Sequence, residues 1–187
     1  MIPMSFFSKL VKPYRKGEKN FDRARAAEFR RDFDKARTYY QEAAVGFDEH
    51  LADKRAKGEE IRPSHLAMAG LCYTRLGRYE DALATLEECL GRKEIPDAFL
   101  YAGFAAARLD RLDKAVGYWK AYPTWADQRI LANVLKEQIA ALGADSPNID
   151  AVCDAIISGV YEQDQYNRKD RNFRRGEERG AEFRQWY

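Results

Sequence analysis

Histidine, cysteine and long apolar runs are what this chain has least of, and each scarcity removes a class of function. Its three cysteines, Cys72, Cys89 and Cys153, are an odd number without CxxC spacing, which argues against both a disulfide framework and a zinc site. Cys72 and Cys89 read as small buried hydrophobes of a protein kept in the reducing cytoplasm. No apolar stretch approaches the roughly 18 residues of a membrane span, and Phe6-Phe7 lies in too short a run for a signal peptide, so secretion is not expected. Met4 is an alternative start to Met1. The two histidines, His50 and His65, stand 15 positions apart and read as solvated or helix-capping. No phosphate-cradling GxxxxGK[ST] loop, HExxH or GxSxG elbow occurs. Adjacent acids such as Glu59-Glu60, Glu87-Glu88 and Glu177-Glu178 diverge around a helix instead of pairing. No catalytic residue, metal ligand or cofactor is therefore expected, and the chain reads as a non-enzyme.

A dominant sign of charge is missing too. Lys and Arg number 32 against 30 Asp and Glu, a net +2, which gives no bulk attraction for a polyanion. The excess is local: residues 1–19 carry Lys9, Lys12, Arg15, Lys16 and Lys19 against Glu18 alone. With 45% hydrophobic and 33% charged residues, the composition suits helices with broad solvated faces. From Asn20 to about Val160 apolar residues recur at helical spacing and nowhere alternate as in a strand. The fold class is all-α.

Three segments superimpose: RDFDKARTYYQEA from Arg31, GRYEDALATLEEC from Gly77 and DRLDKAVGYWKAY from Asp110. Each has a turn, an apolar anchor (Phe33, Tyr79, Leu112), a small residue (Ala36, Ala82, Ala115) and a bulky residue (Tyr40, Leu86, Trp119). Upstream, Ala24, Gly70 and Gly103 supply small residues for a close helix crossing, and Tyr73 follows Gly70 by three. This pattern resembles the tetratricopeptide repeat (TPR), in which helix–turn–helix units stack. Ala82 to Ala115 spans 33 residues, near the family's period of about 34, whereas Ala36 to Ala82 spans 46. The surplus of about 13 falls between Ala44 and Ser64, where a helix prolonged through about Lys57, a stop at Gly58 and a restart at Pro63 accommodate it. The expected architecture is a short TPR-like helical solenoid of about three repeats, with capping helices and extended termini.

The resemblance implies a concave groove lined by the first helix of each repeat. Its apolar floor would be Met68, Leu71, Tyr101 and Phe104, edged by Arg75 and Arg108, with Phe21, Arg25 and Phe29 in the first repeat. Hydrophobic anchors flanked by an acidic group would suit it. The chain's own C-terminal helix or tail would be an alternative occupant. The Lys/Asn/Arg set by which family members clamp chaperone carboxylate tails is missing, so a co-chaperone role is not expected.

Four segments result: a basic N-terminal segment or short amphipathic helix over 1–19, repeats over 20–123, capping helices over 124–160 and a charged aromatic tail over 161–187. Phe6, Phe7, Leu10 and Val11, interrupted by Pro13, make either a helix docked on the first repeat or a weak peripheral membrane contact. In the cap, Ile130, Leu131, Val134, Leu135, Ile139 and Leu142 share one face, with Gly143 as the stop. A further helix from about Pro147-Asn148 includes Val152, Ile156, Ile157 and Val160. The tail is disordered in isolation on composition, yet Tyr166, Phe173, Arg174, Arg175 and Trp186 would serve as its contacts with a partner. The expected function is a cytoplasmic, non-catalytic scaffold or adaptor that holds a protein segment, peptide or helix, in its groove as part of a larger complex. The alternative is recruitment to RNA or anionic membrane through the basic N-terminus and Arg/aromatic tail; nucleic acid is not favoured, because acids share the tail. Self-association, tail into neighbouring groove, stays open.

Overall fold

A computed structural model describes the backbone of residues 12–184 and the side chains of 12–170. Among these residues the chain forms eight α-helices and no strand. Contacts divide it into two compact units, residues 1–123 and 124–187.

The first unit is a series of three helical hairpins: α1 (Pro13–Phe29) with α2 (Phe33–Ala56), α3 (Pro63–Arg75) with α4 (Tyr79–Leu90), and α5 (Pro96–Arg108) with α6 (Leu112–Lys120). Proline opens the first helix of every hairpin. There it forfeits no hydrogen bond, and its ring presets the helical φ. Pro13 is therefore a helix start and not the interruption that its place after Val11 suggests. Because α1 begins at Pro13, Arg15, Lys16 and Lys19 belong to the first hairpin and not to a separate basic segment. Residues 1–11, with the Phe6-Phe7 motif, lie outside the described residues.

The three hairpin turns have one geometry. Arg31, Gly77 and Asp110 adopt φ of 60°, 76° and 58°. The next amide donates back to the carbonyl five residues earlier: Asp32 to Ala27, Arg78 to Tyr73 and Arg111 to Ala106, at 3.0, 2.9 and 2.9 Å. This is the bond pattern of a helix ended by one left-handed residue. Only Gly77 adopts it without a Cβ penalty.

Beyond the second and third turns the helices close on a small-against-large contact. A Cβ placed on Gly70 would fall 2.4 Å from Leu86 Cγ, and one on Gly103 would fall 2.1 Å from Trp119 Nε1. Ala36, Ala82 and Ala115 are themselves buried. Of the three anchors, Tyr79 and Leu112 are half-buried, but Phe33 is 62% exposed. Phe33 starts α2 immediately after the N-cap Asp32, the place that Tyr79 and Leu112 hold in α4 and α6.

The first hairpin is longer than the others at the end away from its turn. There α2 runs to Ala56 and stops before Gly58, whose φ is 62°. The two chains touch at backbone distance, since a Cβ on Gly46 would lie 2.8 Å from Gly17 N. Phe47 packs its ring against Gly17 and is fully buried, a burial contributing about 2–3 kcal/mol. The 13-residue surplus is thus a real extension of α2, matched by an extra turn of α1.

The second unit is a hairpin of α7 (Arg129–Leu142) and α8 (Ile149–Arg184), preceded by a 3-10 turn over Thr124–Ala126. Leu131, Leu135 and Leu142 are buried on α7, and Val152, Cys153, Ile156 and Val160 on α8. Gly159 lets Val134 approach: an added Cβ would meet its Cγ2 at 2.9 Å. Asn148 caps α8 by accepting from the Ala151 amide at 3.0 Å. Helix α8 crosses residue 160 without a break and continues to Arg184, so residues 161–184 of the tail that composition reads as disordered in isolation are helical. Its Glu/Arg/Gln-rich make-up has good helix propensity, and the helix is already nucleated by the packed turns before it.

Candidate interaction surface

The first helices α1, α3 and α5 carry the residues expected to floor a groove, and most of those residues are interior. Leu71 and Tyr101 are each 1% exposed and Phe104 5%; only Met68 among the four is half-buried. The open floor read from the repeat pattern is therefore corrected to a filled one. At helical spacing, an apolar residue facing a groove and one facing the neighbouring helix look alike.

The two edge arginines are also engaged. Arg75 Nε lies 2.8 Å from Glu28 Oε1, with the two side chains only 12% and 18% exposed. The other carboxylate oxygen of Glu28 accepts from the Tyr40 hydroxyl at 2.8 Å, and Arg75 also donates to the Tyr101 hydroxyl at 3.2 Å, its guanidinium over that ring. One carboxylate from α1 thus ties α2 and α3 together, and Arg75 carries the connection on to α5. It occupies the place that an acidic residue of a ligand would take beside Arg75. Burial, with Glu28 adding to it, pushes the Tyr40 hydroxyl well above its ordinary value, so it stays a donor at any physiological pH. Arg108 is half-buried, with its guanidinium 5.5 Å from the Phe104 ring centre.

Of the expected tail contacts, Tyr166 stands on α8 with 58% exposure. Phe173, Arg174 and Arg175 lie on the same helix, but their side chains fall outside the described residues, as does all of Trp186. In the same unit Trp125 is 65% exposed, an aromatic not singled out by repeat reasoning because it precedes the cap.

A polar cleft of about 260 Å³ between α2 and α4 is lined by Asp48, Arg55, Tyr73, Arg78, Asp81 and Glu88. Its charges pair with one another. Arg78 donates to Asp48 at 2.8 and 3.2 Å and to Asp81 at 2.8 Å; Tyr73 donates to Asp48 at 2.6 Å, and Arg55 to Glu88 at 2.8 Å. It works as an ion-pair seam between hairpins.

The two histidines depart furthest from expectation. His50, on the extension of α2, and His65, in the first turn of α3, are 6% and 4% exposed. His50 Nε2 and His65 Nδ1 are 2.9 Å apart. Tyr14 of α1 stacks on His65 with ring centres 5.3 Å apart and tilts against His50 at 5.4 Å, while Glu18 Oε1 lies 3.4 Å from His65 Nε2. The three cysteines are buried thiols outside any disulfide; burial pushes the Cys89 thiol up to about 11 and that of Cys72 higher. Among the described residues no group of His, Cys, Asp or Glu has the arrangement of a metal site, and no helix is long and apolar enough to cross a membrane.

No family model matches the chain, and no curated protein or solved structure matches it significantly.

Proposed function

We propose that the chain is a non-catalytic interaction scaffold of the cytoplasm, its first unit a TPR-like stack and its partner a peptide or helix of another protein. The observation that carries this reading is the repetition itself. Three hairpins share a proline start, a left-handed turn residue and a 6→1 closing bond, and repeated hairpins stacked in series are an architecture whose use is to present a surface. Because Glu28 already pairs with Arg75 and the apolar floor is filled, the partner would engage the rim at Met68 and Arg108, or the exposed aromatics Trp125 and Tyr166. Aromatic and Arg side chains are the usual anchors of protein interfaces.

The test is capture from lysate by the full chain beside two variants, Met68→Glu with Arg108→Glu, and Trp125→Ala with Tyr166→Ala. Each is checked for unchanged circular dichroism. A defined protein retained in stoichiometric amount, and lost in one of the two variants, supports the scaffold. Material removed by nuclease, or binding to anionic vesicles that collapses with salt, would replace it by RNA or membrane recruitment.

A further inference from the structure

We propose that the His50–His65 pair is a proton-sensitive latch that fastens the extended first hairpin to the second and releases it on mild acidification. The latch joins three elements: Tyr14 and Glu18 from the start of α1, His50 from the extension of α2, and His65 from the start of α3.

The chemistry follows from counting ring protons. The Glu18 carboxylate beside His65 Nε2 places the proton on that nitrogen, which leaves His65 Nδ1 an acceptor. His50 Nε2 then carries its proton and donates across the 2.9 Å contact. Neutral, the two rings form one directed chain, His50 to His65 to Glu18. One added proton can be absorbed if His50 moves its own proton to Nδ1, so that His65 donates in both directions. With two added protons, both facing nitrogens carry hydrogen, the bond has no acceptor, and two cations stand at contact distance in a site shielded from water.

The charges around the pair do not cancel this. From α1 comes Glu18, and from α2 come Asp53, which favours protonation, and Lys54, which opposes it; Arg62, just before α3, also opposes it. Tyr14 supplies only its ring face. Lys54 is itself paired with Glu59, and among the described residues Glu18 is the carboxylate that contacts an imidazole. Burial, the largest influence on each, holds both rings below the ordinary histidine value of 6.5, with His65 further lowering His50. The unfolded or detached state therefore binds more protons than the closed state once pH falls below about 6.5. The latch is closed above that value, weakens as pH drops from there toward the lowered native titrations, and weakens no further below them.

The experiment uses the full chain and His50→Gln, whose side-chain amide can donate to His65 Nδ1 when it is neutral and, rotated, accept from it when it is charged. Histidine ring resonances are followed by NMR from pH 8 to 5, and amide exchange, corrected for intrinsic rate, is measured over the same range. Expected in the wild type are two imidazoles titrating below 6.5. Exchange from α1 and the end of α2 should rise by up to about tenfold per pH unit for each proton taken up, with α5 and α6 unaffected. His50→Gln should remove most of that rise. Imidazoles titrating at 6.5 or above, an acid response equal in His50→Gln, or a response spread evenly over the first unit would overturn the latch. Should His50→Gln fail to fold, the wild-type titrations and the location of the exchange decide alone.

Discussion

Gly103→Ala, the smallest possible change at the third hairpin crossing, is expected to destabilise the protein although alanine is the better helix former. The added Cβ would stand 2.1 Å from Trp119 Nε1 and 2.4 Å from its Cδ1. The indole is 2% exposed and donates to the Leu100 carbonyl at 3.1 Å, so it cannot swing aside without breaking that bond. Overpacking costs about 1–3 kcal/mol, the disturbed hydrogen bond about 1, and helix propensity returns about 1, a net loss of about 1–3 kcal/mol. Gly117→Ala is the control: Gly117 is exposed on α6 and nothing lies within 4 Å of its Cβ position, so the same substitution should stabilise by about 0.5–1 kcal/mol. Urea unfolding followed by circular dichroism gives both values from midpoints at constant slope. Adding Trp119→Phe to Gly103→Ala should recover part of the loss, a non-additivity that marks direct contact. If Gly103→Ala were as stable as wild type, or the double variant were the sum of its singles, the close crossing would not exist.

Other outcomes follow from named contacts. Glu28→Gln leaves the Arg75 guanidinium without its counter-charge and should cost about 2–4 kcal/mol, against about 1 for Tyr40→Phe; urea midpoints in 0.05 and 0.5 M salt should shift alike, since the pair is mostly shielded. Gln163, 2% exposed, accepts from the Ile130 and Leu131 amides at 2.9 and 3.2 Å, and Gln163→Ala should raise exchange at those two amides and cost about 1–3 kcal/mol. All three thiols are buried and should resist a disulfide reagent at pH 8 until the chain opens, and burial also disfavours the thiolates of Cys72 and Cys89; one thiol reacting at the free-cysteine rate in native buffer would contradict that burial.

What the sequence disclosed depended on whether the signal was periodic. The repeat register was legible because turn, small residue and large residue return at fixed offsets, and the three aligned segments begin on Arg31, Gly77 and Asp110, the residues with positive φ. The α2 extension was legible from Gly58 and Pro63 flanking a surplus of length. Pairing between elements was not. Glu28 and Arg75 are 47 positions apart, and no spacing rule joins them; Gln163 caps a helix that starts 34 residues earlier. The repeat resemblance assigns Leu71 and Tyr101 to a surface, naming the helix that lines a groove without saying what covers it here. His50 and His65 read as solvated or capping from their places on the inserted region and at a helix start. Their burial arises only once the turn after α2 folds α3 back against it and α1 supplies Tyr14 as a lid.

The extension makes the first hairpin chemically unlike the other two. In the second and third hairpins the first helix meets the second through Gly70 against Leu86 and Gly103 against Trp119, contacts of size and shape that carry no ionisable group and so hold equally at any pH. In the first hairpin, added length creates a second contact zone, and there the backbone touch of Gly17 with Gly46 is joined to an imidazole pair. Two kinds of perturbation should therefore separate cleanly. Gly103→Ala should lower stability by the same amount at pH 7.5 and 5.5, whereas His50→Gln should alter mainly the difference between the two pH values. A Gly103→Ala penalty that grew on acidification would mean that the hairpins unlatch as one body, and that the first is not the independent, proton-responsive element its extension makes it.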